Sequence, residues 1–418
     1  MKSKISNDIL GDKKITTGVV YKKNILRKKI IETIYREGSK TIAQLCDITK
    51  NSVPTVSGLI EELLSDGWIV NLGIGGSLKG GRKPTLYGLN SEVGYILGVD
   101  LSRQYYRIGV FNLHNEYVGK IIEKDEGLET TDNILTLLDN SVNELLEKND
   151  LRKKQILGIG ISIPGLLNSR NGKSHSFPQL GSKPLKETFE NLFGCSVFVE
   201  HDTRIMALGE QWFGHAKKYS NVLFINIGSG IGLSMILNGK LYRGHSGFSG
   251  EFGHIQMDPN GKLCYCGKIG CLETIASGTA IVKRAKKDIN NGKNSIIKKI
   301  TNNDPLKITF KTVIDAAKMG DQYAIELMED TGEFLARGIS TLINLFNPEA
   351  IIIGGEIAEA ENLIKDPIQQ KLSKYTMLLL KNDSLVLVSK LKEKAGLLGT
   401  LPVVMSHLFF PETDSANA

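Results

Sequence analysis

Three of the five cysteines in this 418-residue chain fall within eight residues, at Cys264, Cys266 and Cys271, and His254 stands just upstream. Cysteines of a core strand would have apolar neighbours, whereas these stand among Gly, Lys and Tyr. A disulfide would leave the third thiol unpaired, and nothing in the sequence suggests export. Zn²⁺ takes four tetrahedral N/S ligands, and a loop carrying His254, Cys264, Cys266 and Cys271 can fold back to supply all four. Gly267 and Gly270 permit the tight backbone that this spacing demands.

Charge points to a second function elsewhere. Residues 1–90 hold 15 Lys and Arg against 8 Asp and Glu, so the whole net charge of +7 lies in the first fifth of the chain. A polyanion would bind there, the competing reading being a solubilising basic tail. The N-terminus lacks the apolar run of a signal peptide, and no stretch reaches the length of a membrane span. A cytoplasmic protein without membrane insertion is expected.

Within those ninety residues, Ile25, Leu26, Ile30, Ile31 and Ile34 recur at helical spacing and predict a helix over 24–36. A second, over 41–47, would turn Ile42, Leu45 and Cys46 inward. A third opens at Ser52, whose hydroxyl can cap the free N–H groups ahead, with Pro54 tolerated in the first turn, and it stops at Gly67. Two β-prone pieces, 68–72 and 84–89, are joined by the glycine-rich stretch 73–83. Three helices and such a hairpin make a winged helix-turn-helix. Ser52, Thr55 and Ser57 would lie nearest the bases in the major groove, and Arg82 and Lys83 of the wing would suit a minor groove or its flanking phosphates. The competing reading of the helices alone is a dimerisation module.

After Asn90 short apolar runs alternate with helical stretches. Strands are predicted over 95–100, 106–111 and 156–163, with a helix over 134–146 between them, and the strand, glycine turn and strand pattern restarts at 222–227 and 231–237. This duplication argues for two related lobes with a cleft between them.

Almost the whole chain resembles the ROK family of bacterial sugar kinases and sugar-responsive transcriptional regulators. The residues that carry the resemblance are Glu251-Phe-Gly-His254, like its sugar motif, and the run from Cys264 to Glu273, like its zinc signature. Gly228-Ser-Gly-Ile-Gly232 is like its second phosphate loop and Ile352-Ile-Gly-Gly-Glu356 like its adenosine segment, while the winged helix resembles its regulator branch. The resemblance implies an α/β chain in which the winged helix-turn-helix precedes a two-lobed actin-like, ribonuclease-H-like sugar-kinase fold. The expected domains are 1–90 for DNA binding, 91–210 for the first lobe, completed by a final helix within 395–418, and 211–394 for the second lobe with the zinc loop.

The resemblance also implies that Glu251, His254 and Glu273 contact sugar hydroxyls. A sugar ring needs groups that donate and accept in fixed orientation, and a histidine holding zinc through one ring nitrogen keeps the other for a hydroxyl. Asp202 stands where the family has its general base, but His201 replaces the usual Asn, as in regulators of the N-acetylglucosamine- and xylose-repressor type. His201 and Asp202 are therefore read as sugar-binding, with Asp202 a vestigial base and no catalytic residue assigned. The kinases' first phosphate loop reads Asp-x-Gly-x-Thr; here it is Asp100-Leu-Ser-Arg-Gln104, where side chains fill space that ATP needs. Arg103 can in principle supply charge to a phosphate instead.

The expected function is a sugar-responsive DNA-binding regulator, in this family most often a repressor, that is not an enzyme. Its partners would be an operator duplex and a sugar or sugar phosphate, in a homodimer or homotetramer. Ligand in the cleft would bias closure and change the spacing of the winged helices. Two other readings stay open: an ATP-dependent sugar kinase with an appended DNA-binding domain, and a scaffold controlled by a protein such as a transporter.

Overall fold

The computed structural model describes residues 18–74, 84–168 and 172–409. The described residues divide into two compact units. One holds those up to Ile163, Gly172–Glu200 and those from Thr400; the other holds 164–168 and His201–Gly399. Among the described residues, no helix is long and apolar enough to cross a membrane.

The first unit opens with α1 (Gly18–Glu37), α2 (Ile42–Thr49) and α3 (Val53–Ser65), followed by the antiparallel pair β1 (Ile69–Ile74) and β2 (Thr85–Leu89). Helix α1 starts six residues earlier than its apolar spacing predicts. Ile30, Ile31, Leu45, Val56, Ile60, Leu63 and Trp68 form its buried centre. Thr41 and Gln44 make a capping box ahead of α2. Ser52 does occupy the cap position of α3, but its hydroxyl meets Thr55 Oγ1 at 2.9 Å and caps no backbone N–H. Arg27 closes the helical triplet by an ion pair with Asp66.

The same unit continues into β3 (Tyr95–Leu101), β4 (Tyr106–Phe111), β5 (Ile122–Lys124), α4 (Ile134–Lys148), β6 (Ile156–Ile163) and β7 (Val197–His201). The sheet order is β5-β4-β3-β6-β7, with β3 antiparallel to β4 and parallel to β6. The C-terminal helix, Ala395–Phe409, covers β6 from Thr400 onward: a Cβ at Gly160 would lie 2.7 Å from that of Thr400. Three contacts seat the winged helix on this sheet. Tyr35 donates to Asn115 Oδ1, His114 Nε2 lies 3.1 Å from Leu89 O, and Trp68 packs against Phe409. Burial pushes the Tyr35 phenol above its ordinary pKa, so it stays a donor.

The second unit repeats the plan. After α5 (Asp202–Phe213) come β8 (Val222–Ile227), β9 (Ile231–Leu237) and β10 (Lys240–Tyr242), then α6 (Gln322–Phe346), β11 (Ala350–Gly354), α7 (Asn362–Tyr375), α8 (Leu378–Asp383) and β12 (Leu385–Val388). Its order, β10-β9-β8-β11-β12, has the same antiparallel start and parallel continuation as the first sheet. The duplicated strand pattern of the sequence thus corresponds to two sheets of one topology.

Candidate metal loop, sugar shelf and DNA-recognition face

The loop after β10 is held at both ends by apolar anchors, since Phe252 and Leu272 are buried in the core of the second unit. Between them His254, Cys264, Cys266 and Cys271 come together, their ligand atoms all within 4.8 Å of one another. Gly270, at φ 72°, makes this possible: a Cβ there would lie 1.6 Å from Asp258 O, and its own N–H and C=O tie the loop to Lys262 and Met257. The thiols are ill-suited to sharing the site without a cation. Burial pushes Cys264 up, and burial followed by the hydrogen bonds with Cys266 and Cys264 pushes Cys271 up to about 12. Cys266 lies below its ordinary value, because the Lys268 backbone N–H and the neighbouring thiols outweigh desolvation. A divalent ion would stabilise the thiolates together, and three sulfurs with one imidazole suit zinc chemistry. This His-Cys set could therefore hold a metal ion.

The imidazole of His254 divides its two nitrogens. Nδ1 lies 3.6 Å from Cys264 Sγ, on the side of the thiols, while Nε2 lies 3.9 Å from Glu251 Oε2 and 3.1 Å from the Tyr265 hydroxyl. Tyr265, whose ring also meets that of His254 edge on, was not apparent from the sequence; its place between two of the clustered cysteines is the signal that points to it. Lys268 adds a hydrogen bond to His254 O at 2.7 Å.

Glu273 opens a short helix and accepts from Ile231 N at 2.9 Å, just after the glycine turn joining β8 to β9. Asp202 begins α5, with Oδ1 3.0 Å from both His201 Nδ1 and the Thr203 hydroxyl; Thr203 Oγ1 in turn accepts from Asn226 Nδ2 on β8 at 3.3 Å. The two carboxylates thus border the same hairpin. Within that turn, Gly228 O accepts from Gly278 N at 2.8 Å and Ser229 O from the Thr279 hydroxyl at 2.7 Å.

In the first unit, Ser102 and Arg103 of the stretch from Asp100 to Gln104 are engaged by neighbouring groups of the protein. Ser102 Oγ accepts from Gln104 N at 3.2 Å and Tyr105 N at 3.4 Å. Arg103 is paired with Glu129, and its guanidinium lies 5.5 Å from the Phe177 ring centroid. Its carbonyl accepts from Glu129 N at 2.7 Å.

On α3, Ser52 and Thr55 are exposed and Ser57 is half-buried. Thr55 also lines a groove of about 680 Å³ with Asn51, Lys22, Lys23 and Lys29, which the sequence registered only as excess charge. Lys23 is paired with Glu62 at 2.5 Å and Lys29 with Glu32 at 3.1 Å. Arg82 and Lys83, expected in the wing, lie outside the described residues.

Comparison with known proteins accords with both halves. A profile of the ROK family matches residues 96–406, and one for winged helix-turn-helix DNA-binding matches residues 23–70. The chain is 34% identical over 394 residues to the xylose repressor of Caldicellulosiruptor bescii, spanning 93% of this chain and 96% of that one. It is 32% identical over 324 residues to the glucokinase of Thermotoga maritima, spanning 75% and 98%. A solved ROK family transcriptional regulator, a homologue of the E. coli Mlc protein, is similar with a TM-score of 0.77 at 28% identity, covering 93% of this chain and 97% of that one. The chain belongs to the ROK family and carries a winged helix-turn-helix ahead of its ROK domain.

Proposed function

We propose that this chain is a sugar-responsive DNA-binding transcriptional regulator, a repressor, working in the cytoplasm as a homo-oligomer. The observation that carries the reading is the seating of the winged helix against the first-sheet part of the ROK fold through Tyr35, Trp68 and His114, with which it forms one compact unit. Similarity along nearly the whole chain to a protein named a xylose repressor supports it. In domain terms, 1–90 binds DNA, 91–210 with 395–418 forms the first lobe, and 211–394 forms the second.

His201, Asp202, Glu251, His254 and Glu273 bind the hydroxyls of a sugar or sugar phosphate. Zinc held by His254, Cys264, Cys266 and Cys271 is structural, because four protein ligands leave no open position for a catalytic water. What it supplies is a fixed His254, with Nε2 directed toward Glu251. Ser52, Thr55 and Ser57, with Arg82 and Lys83, contact the operator.

The kinase alternative is disfavoured by how the first phosphate stretch is occupied. Ser102 takes the backbone N–H groups of Gln104 and Tyr105 that a phosphate would need, and Glu129 neutralises Arg103. The test is operator gel-shift against xylose, glucose, N-acetylglucosamine and their phosphates, with and without ATP. Sugar-dependent release of the operator, indifferent to ATP, is expected. ATP-dependent phosphorylation of a hexose by pure protein, abolished by Asp202→Asn, would replace the reading with the kinase one.

A further inference from the structure

Beyond residue 90 acidic and basic residues balance overall but not locally: from Gly278 to Lys311 nine Lys and Arg stand against Asp288 and Asp304 alone. Within the second unit this segment folds as the helix Gly278–Asn290, the short helix Ile297–Ile300, the turn Pro305–Lys307 and the start of the helix Phe310–Lys318. Ile281, Ala285 and Ile289 bury one side of the first helix, and Lys283 and Lys287, one turn apart, stand exposed. Lys286 Nζ donates to Leu306 O at 3.2 Å and Asn303 N to Lys298 O at 2.7 Å, which links both helices to the turn.

The acidic groups nearby are already engaged. Arg284, Lys293 and Lys311 pair with Asp330, Glu326 and Asp315. Asp288 accepts from the Tyr323 hydroxyl at 2.9 Å and Asp304 from Leu306 N at 2.9 Å. Among the described residues, Lys283, Lys287, Lys298 and Lys299 enter no ion pair. Beside these cations Leu306 is 82% exposed, and Ile296 and Ile300 are 36 and 39% exposed. Asn302 and Asn303, left-handed at φ 53° and 59°, reverse the chain just ahead of the turn that presents Leu306.

We propose that this face docks reversibly on an anionic lipid surface, as a peripheral contact without a spanning segment. Nucleic-acid phosphates would account for the lysines but have no use for three exposed aliphatic side chains. An acidic protein would favour arginine, which is enriched where proteins meet while lysine is depleted, and the unpaired cations here are all lysine. A bilayer interface takes both parts, since ammonium groups meet headgroup phosphates while aliphatic side chains enter the boundary with the acyl region. The inference depends neither on the regulator reading nor on the metal.

The experiment floats the full-length protein with vesicles of phosphatidylcholine alone and of phosphatidylcholine mixed with phosphatidylglycerol, across a salt series. Wild type is expected to bind the mixed vesicles only, and less as salt rises. Lys283→Gln with Lys287→Gln should lower the partition coefficient about 30-fold at low salt. Leu306→Ser should lower it about 10-fold at every salt concentration, because the apolar part is not screened. Circular dichroism and melting temperature should match wild type in both variants. No binding to the mixed vesicles, or equal binding to neutral ones, would overturn the proposal. So would patch variants that bind vesicles as wild type does while Lys22→Ala does not, which would move the contact to the N-terminal domain. Patch variants that lose affinity for unrelated duplex but not for vesicles would assign the face to nucleic acid instead.

Discussion

Trp68, at the start of the winged-helix hairpin, and Phe409, on the C-terminal helix, meet edge to face with ring centroids 5.3 Å apart. Both rings are almost fully buried, and the helix that carries Phe409 also covers β6 from Thr400 onward. The contact therefore joins the C-terminal helix directly to the DNA-binding element. Phe409→Ala removes a buried aromatic and should cost about 3 to 5 kcal/mol. Scanning calorimetry should show a lower Tm, with the winged helix melting ahead of the rest, and gel-shift should show sugar response weakened more than operator binding. An unchanged melt would mean that the contact does not hold the winged helix in place.

The zinc assignment is tested by Cys264→Ser. Sulfur at this position is buried and faces His254 Nδ1, and an alcohol is a poor zinc ligand. Metal content measured on purified protein should fall from about one ion per chain toward zero, and the sugar concentration needed to release operator should rise because His254 loses its anchor. Full zinc content in the variant would refute the ligand set.

Much of this was legible in the sequence, for identifiable reasons. Three thiols and an imidazole so closely spaced have few ways to be satisfied, and the structure brings those four groups together. The strand repeats appear in both sheets because an apolar run covered on both faces leaves a continuous hydrophobic signal. What was not legible depends on tertiary approach. Tyr265 reaches His254 only because the loop reverses at Gly267 and Gly270. The engagement of Arg103 by Glu129 and Phe177 joins three distant segments, so the sequence alone left open whether that guanidinium was available to phosphate. Ser52 was misjudged as a side-chain cap because its neighbour Thr55 offered a competing hydroxyl partner.

A pH dependence follows from Glu333 on α6, which accepts from Lys371 at 2.8 Å, Arg337 at 2.9 Å and Tyr375 at 2.8 Å. These hydrogen bonds, that from Lys371 first, hold its carboxyl at about 2, below the ordinary 4.5. A depressed carboxylate adds stability above the unfolded pKa and loses it as pH falls through the folded one. Glu333→Gln should thus melt earlier than wild type at neutral pH, with the difference shrinking from about pH 4.5 toward about pH 2. The effect should be small, since the group is only half-buried and remains screened by solvent. A gap independent of pH would show that the charge is not its source.

The groove beside α3 sets the last prediction. Lys22 and Lys29 line it together with Thr55 and Asn51, so a duplex lying against the start of α3 would pass its phosphates across these ammonium groups. Phosphate contacts contribute affinity and salt dependence without reading sequence, whereas side chains at base edges set specificity. Lys22→Ala and Lys29→Ala should each weaken binding to operator and to unrelated duplex alike, lowering the slope of log affinity against log salt by about one. Arg82→Ala should behave similarly if the wing follows a backbone or minor groove. Thr55→Ala should instead weaken operator binding more than non-specific binding, since a base contact is typically worth about 1 to 3 kcal/mol. If the lysine variants keep the wild-type salt slope while Thr55→Ala loses discrimination, the recognition helix is correctly placed and the duplex does not run over the groove.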